Sequence, residues 1–115
     1  MKYDNFFFPA DDLATSRRFY QDVLDLPVKF DFSESGMVAF RVGEEEAAII
    51  LKERKKFPNM TPAVWIEVDD VRAKYAALQG RNIRFLSEPF RIRTGWAVEF
   101  FDPSGNRLGF VDYRE

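Results

Sequence analysis

The sequence predicts an α+β fold in which two tandem βαβββ modules form a curved mixed sheet with a concave cleft. One order of elements, a strand followed by a helix and three strands, can be traced twice along the 115 residues. The doublets Asp11-Asp12 and Asp69-Asp70 occupy equivalent places in the two halves. Residues 99–113 contain Pro, Gly and Asn between apolar runs, which predicts a tight connection between antiparallel strands. Pairing the halves would place both helices outside the sheet and leave its other face concave.

Composition excludes several classes of partner. Lys and Arg number 17 against 19 Asp and Glu, and a net charge of -2 gives no electrostatic footprint for nucleic acid or an anionic membrane. The lack of cysteine excludes disulfides and thiolate metal sites. Because the first residues lack the basic region and long apolar run of a signal peptide, we expect a cytoplasmic protein. The 13 Phe and two Trp residues are typical of aromatic cores, interfaces or ligand clefts.

The first module, about residues 1–53, begins with an aromatic strand over residues 3–8 that we expect Pro9 to end. The Asp doublet after it can cap a helix that continues to about Leu24. Helical spacing predicts that this helix buries Leu13, Tyr20, Val23 and Leu24. Three strands then follow at residues 28–32, 37–42 and 47–51. A charged segment with two prolines, about residues 54–62, predicts a linker.

The second module, about residues 63–115, repeats this order. A strand over residues 63–68 precedes the second Asp doublet, and the helix after it ends at Gly80. The predicted buried face of that helix contains Val71, Tyr75 and Leu78. Three further strands are predicted at residues 83–86, 96–101 and 107–113. We therefore expect a single domain built from the two modules and the linker.

Strand alternation divides the side chains of the predicted sheet between two faces. The face toward the helices is expected to hold Phe6, Phe8, Val64, Ile66, Val68, Phe100, Leu108 and Phe110. The concave face is expected to hold Asn5, Phe7, Ile50, Ala63, Trp65, Glu67, Ala97, Glu99, Phe101, Gly109 and Val111.

Three positions on these strands allow more than one interpretation. Gly109 lies inside a strand, where we expect a bulge, although a glycine can also mark close approach of another group to the backbone. Trp65 can stack on a ligand, or it can pack against the opposite half or a second subunit. Trp96 follows Gly95 at the start of its strand, so alternation does not fix its face.

Several motifs, taken in order, resemble those of the vicinal oxygen chelate superfamily, also called the glyoxalase/bleomycin resistance/dioxygenase fold. The motifs extend over nearly the whole chain, and the most specific is the terminal hairpin Phe101-Asp102-Pro103-Ser104-Gly105-Asn106. The others are Asp12-Leu13 with Arg18-Phe19-Tyr20 and Leu24, then Glu67-Val68-Asp69-Asp70-Val71, then Leu86-Ser87-Glu88-Pro89.

The resemblance implies four positions at which metal-dependent family members place His, Glu or Gln ligands. In this sequence the matching residues are Asn5, about Ile50, Ala63 and Gly109, and none is a good ligand for zinc, iron or manganese. A displaced carboxylate site from Glu67, Glu99 and Asp102 is the alternative, although such carboxylates more often pair with arginine, here Arg93 or Arg107. We expect no metal ion and no cofactor.

The resemblance and the residues together favour a metal-free small-molecule binding protein, similar to the drug-sequestering branch of the superfamily that confers antibiotic resistance. An alternative is a lyase or isomerase type of enzyme in which Glu67 or Glu99 acts as general base. Another alternative is a homodimeric interaction module, and a homodimer is expected in any case. The expected partners are a small molecule and a second copy of the chain, without nucleic acid or membrane. The proposed ligand-binding residues are Asn5, Phe7, Ile50, Trp65, Glu67, Trp96, Phe101, Arg107 and Gly109.

Overall fold

In the computed structural model, which describes residues 1–114, a strand, a helix and further strands occur in the same order in both halves of the chain. This confirms the predicted α+β fold class. The chain forms two compact units, which are described separately. The first unit is Asn5–Pro62, and the second consists of Met1–Asp4 together with the chain from Ala63 onward. Within residues 1–114, no helix is both long enough and apolar enough to cross a bilayer.

The first unit has the predicted strand, helix and three strands. Its strand order is β2-β3-β4-β1, with β1 parallel to β4 and the other neighbours antiparallel. The elements are β1 (Lys2–Ala10), α1 (Leu13–Arg18), β2 (Val28–Phe32), β3 (Met37–Arg41) and β4 (Ala48–Glu53).

Helix α1 begins as predicted, because the carboxylate of Asp12 accepts a hydrogen bond from the backbone N–H of Thr15 at 3.2 Å. After Arg18 the chain continues as a π-helical turn over Phe19–Val23. A π-turn holds an extra residue and shifts the residues after it around the helix axis. Tyr20 still packs on the core, but Val23 and Leu24 are 67% and 46% exposed, so their predicted burial was wrong.

Two strands of the first unit end later than predicted. Strand β1 continues through Pro9 to Ala10, since the missing N–H of a proline is tolerated where a strand does not need that donor. Strand β4 includes Lys52 and Glu53, which pair with Pro9 and Ala10 of β1. The backbone N–H of Glu53 also donates to the carbonyl of Gly36. The charged residues Lys52 and Glu53 suggested that the strand had already ended. In the structure, the alternation of side chains between the two faces of the sheet continues through both residues.

The second unit has its first and last strands parallel, as the first unit does. Strand β5 pairs with β9, and β8 pairs antiparallel with β9, β6 and β7. The elements are β5 (Ala63–Glu67), α2 (Val71–Leu78), β6 (Arg84–Phe85), β7 (Phe90–Ile92), β8 (Gly95–Phe101) and β9 (Arg107–Val111). Strand β7 was not predicted, because three residues between Pro89 and Arg93 are too few to show an alternating pattern.

Each helix packs on the predicted face of its own sheet. In the first unit the core consists of Ala10, Leu13, Val38, Phe40 and Leu51, and Tyr20 stacks on Phe40 with a centroid distance of 5.2 Å. In the second unit the core residues are Val68, Val71, Val98 and Phe110, with Ile66, Tyr75, Leu78, Phe85, Trp96 and Phe100 packed around them. Phe8, expected on the helix side, is 39% exposed.

Asp112 is a buried carboxylate with a structural role that the sequence did not suggest. It is 1% exposed, and its oxygens accept hydrogen bonds from the backbone N–H groups of Val71 at 2.7 Å and Trp96 at 2.9 Å. A third, longer bond comes from the N–H of Arg114 at 3.2 Å. The carboxylate thereby holds together the start of α2, the start of β8 and the end of the chain. Gly95 allows this approach, since a side chain there would collide with the Asp112 backbone.

Replacing Asp112 with alanine should lower the free energy of unfolding by about 2–4 kcal/mol, because it leaves buried N–H donors without an acceptor. Urea unfolding followed by circular dichroism measures the change. The matched control is Asp69→Ala, since Asp69 lies near the same end of α2 but is exposed, and we expect a change within about 0.5 kcal/mol. Equal effects of the two substitutions would contradict the role given to Asp112.

Asp31 carries the largest pKa shift on the surface of the first unit. The Arg17 guanidinium, which donates to Asp31 at 2.7 Å, lowers the pKa of that carboxyl from 3.8 to about 2, with help from Ser33. Because the folded-state pKa is lowered, the stabilisation is present above about pH 4 and is lost as the pH falls toward 2.

Arg17→Gln should therefore move the pKa of Asp31 back toward 3.8. Carboxyl-carbon NMR during an acid titration measures this pKa. Asp12 serves as an internal control, because its pKa is lowered chiefly by the Thr15 backbone N–H and should not respond. An Asp31 pKa that stays near 2 in the variant would show that the Ser33 donors are sufficient.

Candidate functional site

The indole of Trp65 lies directly over Gly109 on one face of the second unit's sheet. The two residues are partners in the register of β5 and β9. A methyl group added at Gly109 would lie only 2.5 Å from Cδ1 and Nε1 of Trp65, so only glycine leaves space for the ring. The pairing of β9 is regular on both sides, and the predicted bulge at Gly109 was wrong. The other interpretation, close approach of another group, is confirmed, and that group is the chain's own tryptophan.

Glu99 fixes the orientation of this indole. Its Oε2 accepts a hydrogen bond from Trp65 Nε1 at 3.0 Å. The same carboxylate accepts two hydrogen bonds from Arg107, from Nε at 3.1 Å and from Nη2 at 2.8 Å. This two-pronged geometry is the strongest way in which arginine binds a carboxylate. Of the two arginines considered from the sequence, Arg107 is therefore the partner of Glu99.

The three side chains form a cluster that is largely shielded from water and carries no net charge. The side chains of Glu99 and Arg107 are only 14% and 16% exposed, while Trp65 is partly buried. Paired charges at this depth hold their geometry, because separating them would leave a poorly solvated ion. We refer to Trp65, Glu99, Arg107 and Gly109 as the tryptophan cluster. The structure brings together these four of the residues singled out in the sequence.

Two other predicted site residues of the second unit contact groups outside this cluster. Glu67 follows Trp65 on the same face of β5 and forms an ion pair with Lys2 at 3.8 Å. Phe101, the register partner of Arg107, has the Arg84 guanidinium over its ring at 4.9 Å from the centroid.

Trp96 is not part of the tryptophan cluster. It alternates with Ala97 and Glu99 along β8, so it lies on the opposite face of the sheet, where it packs against the core of the second unit. The guanidinium groups of Arg72 and Arg91 lie over its ring, at 4.3 and 5.7 Å from the centroid. The residue proposed from the sequence as a ligand contact therefore has a core position.

The predicted site residues of the first unit form a group of their own. Phe7 and Ile50 are register partners on β1 and β4, and both are buried. The Lys52 ammonium lies 4.9 Å from the centroid of the Phe7 ring and 4.8 Å from that of Phe57. Asn5 accepts a hydrogen bond from the backbone N–H of Ala48 at 3.0 Å. Lys52 was missed because the predicted strand ended at residue 51, although alternation from Ile50 would have placed it on this face.

The donor set at the family's metal positions does not fit a metal ion. In the first unit the amide oxygen of Asn5 already accepts a hydrogen bond, and the side chain of Ile50 has no atom that can bind a metal. In the second unit neither Ala63 nor Gly109 has a side-chain atom that can bind a metal, and Gly109 lies beneath the indole of Trp65. Glu67, Glu99 and Asp102 each interact with a different group, namely Lys2, Arg107 and Asn106. Among residues 1–114, no three His, Cys, Asp or Glu side chains are arranged to hold a metal.

Gly109→Ala should lower the free energy of unfolding by about 1–3 kcal/mol, because the added methyl group displaces the indole. Urea unfolding measures this cost. In a Trp65→Ala background the same substitution should cost much less, since the ring that it meets is gone. Equal costs in the two backgrounds would show that the backbone at residue 109 requires glycine and that the Trp65 ring does not.

Comparison with known proteins identifies the family. The family model of the Glyoxalase/Bleomycin resistance protein/Dioxygenase superfamily matches residues 2–110. No curated protein gives a significant match. The chain is similar to a solved methylmalonyl-CoA epimerase from Mycobacterium tuberculosis, with 17% identity over 99% of this chain and 89% of that chain and a TM-score of 0.75.

Two other solved structures show the same likeness of fold. A member of the same superfamily from Vibrio splendidus has 18% identity over 93% of this chain and 95% of that chain, with a TM-score of 0.70. A Legionella pneumophila protein described as an NAD-dependent benzaldehyde dehydrogenase has 17% identity over 96% of this chain and 98% of that chain, with a TM-score of 0.76. Because the family model extends over nearly the whole sequence, the chain belongs to the Glyoxalase/Bleomycin resistance protein/Dioxygenase superfamily, as its motifs predicted.

Proposed function

We propose that this chain is a small-molecule binding protein that holds a flat, uncharged, largely apolar ligand against Trp65 and needs no metal ion. The observation that carries the proposal is the indole fixed over Gly109 by the carboxylate of Glu99. An aromatic ring whose orientation is already set loses little further freedom when a ligand stacks on it, so more of the contact energy appears as affinity.

The charge of the cluster supports an uncharged ligand. Arg107 and Glu99 neutralise each other through two hydrogen bonds, so a charged ligand would have to compete with an ion pair that is already well made. A neutral aromatic compound meets no such competition. Sequestration of a neutral aromatic drug, in the manner of the drug-sequestering branch, is the biological use that we propose.

An enzyme using Glu99 as general base is less well supported. A general base needs an oxygen that can reach the substrate proton. Both oxygens of Glu99 accept hydrogen bonds, from Arg107 and from the Trp65 indole, so the carboxylate is better suited to holding the ring than to accepting a proton. Glu67, which forms an ion pair with Lys2 at 3.8 Å, is the carboxylate that an enzymatic alternative would use.

The test begins with a thermal-shift screen of uncharged planar aromatic compounds, together with mitomycin C and bleomycin, because a ligand of the native state raises the melting temperature. Isothermal titration calorimetry then compares the best compound on wild type and Trp65→Ala. Loss of a stacking ring should weaken binding about tenfold to a hundredfold. The matched control is Phe32→Ala, which removes an exposed ring of the first unit and should leave affinity unchanged.

The outcomes separate the proposal from its alternatives. Unchanged affinity in Trp65→Ala would contradict binding at this ring. Turnover of the bound compound that is lost in Glu67→Gln would establish the enzymatic alternative. If no compound binds and light scattering shows that Trp65→Ala converts a dimer to a monomer, the chain is an interaction module. The homodimer itself is part of our proposal, and light scattering of the wild type tests it.

A further inference from the structure

A cavity of about 400 Å³ lies in the second unit, where the loop between α2 and β6 meets the turn between β8 and β9. Its volume is within the range of pockets that hold small ligands, about 300–1,000 Å³. None of its lining residues belongs to the tryptophan cluster, so it goes beyond the function proposed above. The lining residues are Arg81, Asn82, Ile83, Arg84, Phe100, Phe101, Asp102 and Pro103.

Two arginines give this cavity its positive charge. Within the described residues 1–114, no ion pair involves Arg81 or Arg84, and both residues are exposed. The Arg84 guanidinium lies over the Phe101 ring at 4.9 Å from its centroid. A guanidinium held over a ring keeps its N–H groups at its edge, where they can donate to an acceptor.

The loop between α2 and β6 carries Arg81, leads into Arg84 at the start of β6, and makes a tight turn. Gly80 and Asn82 have positive φ angles of 82° and 59°, and the backbone N–H of Arg81 donates to Leu78 at 3.2 Å. Asparagine is among the few residues that adopt the left-handed conformation readily. The chain therefore turns tightly out of α2, and Arg81 and Arg84 both line the same cavity.

The one acidic side chain in the lining is directed into its own turn. The Asp102 carboxylate accepts hydrogen bonds from the backbone N–H groups of Ser104 and Asn106, at 2.9 and 2.8 Å. It also accepts one from the Asn106 side chain at 2.9 Å, and this bond above all keeps the pKa of Asp102 below its ordinary value. Two arginines against one ionised aspartate leave the lining with a single net positive charge.

We propose that this cavity binds an aromatic carboxylate. The guanidinium groups of Arg81 and Arg84 would receive the carboxylate, whose planar pair of oxygens matches their geometry. Phe101, Phe100 and Pro103 supply apolar walls for the ring of the ligand. A carboxylate, with one negative charge, matches the single net charge of the lining. A phosphate group would bring more negative charge close to Asp102 and is the less favourable occupant.

The experiment titrates the protein with 2-naphthoate, its uncharged analogue 2-naphthamide, and 2-naphthyl phosphate, using amide NMR spectra to locate each probe. Ligands of this size bind weakly, with dissociation constants of about 1 mM. We expect 2-naphthoate to shift the amide signals of residues 81–84 and 100–102. Binding should weaken as salt is added, because the charges are exposed.

Arg84→Gln and Arg81→Gln should each weaken 2-naphthoate binding about tenfold, as expected for loss of a charge-assisted hydrogen bond. The matched control is Arg93→Gln, which removes an exposed arginine of the same unit outside the cavity and should have no effect. The NMR spectra of the variants also report whether each one is folded.

Three results would overturn the proposal. Equal binding of 2-naphthamide and 2-naphthoate would show that the arginines do not recognise the carboxylate. Tighter binding of 2-naphthyl phosphate would assign the cavity to another class of anion. Shifts by 2-naphthoate confined to Trp65, Glu99 and Gly109 would place the probe in the tryptophan cluster and reject this cavity. Only the same shifts by uncharged 2-naphthamide would support the function proposed for that cluster.

Discussion

The buried carboxylate of Asp112 is the interaction on which the second unit depends. It joins three segments that are distant in sequence, since it accepts hydrogen bonds from the start of α2, the start of β8 and the end of the chain. These are backbone donors, and a buried backbone N–H has few alternatives to the partner it is given. Strand β8 also carries Glu99, the carboxylate that orients Trp65, so one of the segments that Asp112 joins helps to build the tryptophan cluster.

In the tryptophan cluster, the register of neighbouring strands gives one sheet face its particular chemistry. Three adjacent strands, β5, β9 and β8, each contribute to it, and their register alone places Trp65, Gly109 and Glu99 side by side. The first unit contains no equivalent cluster among its described residues. There the corresponding strands bury Phe7 and Ile50 and place the Lys52 ammonium over the Phe7 ring. Two modules with one order of elements therefore present different chemistry.

Much of the fold could be predicted from the sequence, because it rests on local patterns. The caps at Asp12 and Asp70 and the turn at Gly105 follow from short-range chemistry, and the structure confirms them. Alternation along β5, β8 and β9 correctly placed Trp65, Glu99 and Gly109 on one face. Features that depend on contacts between distant segments could not be predicted in this way. The pairing of Trp65 with Glu99, the burial of Asp112 and the Arg84–Phe101 contact are of this kind.

The glycine beneath the indole has a consequence for the evolution of this chain. Gly109 occupies a position at which the superfamily resemblance implies a metal ligand, and the Trp65 ring fills the space that any side chain at 109 would enter. A lineage could gain a ligand there only after the tryptophan had been lost or displaced. In the reverse direction, from a metal site to this cluster, the metal-binding side chain at position 109 would have to be replaced by glycine before an indole at position 65 could pack there. The two positions are therefore constrained to change in a set order, and intermediates between the two states would carry neither arrangement.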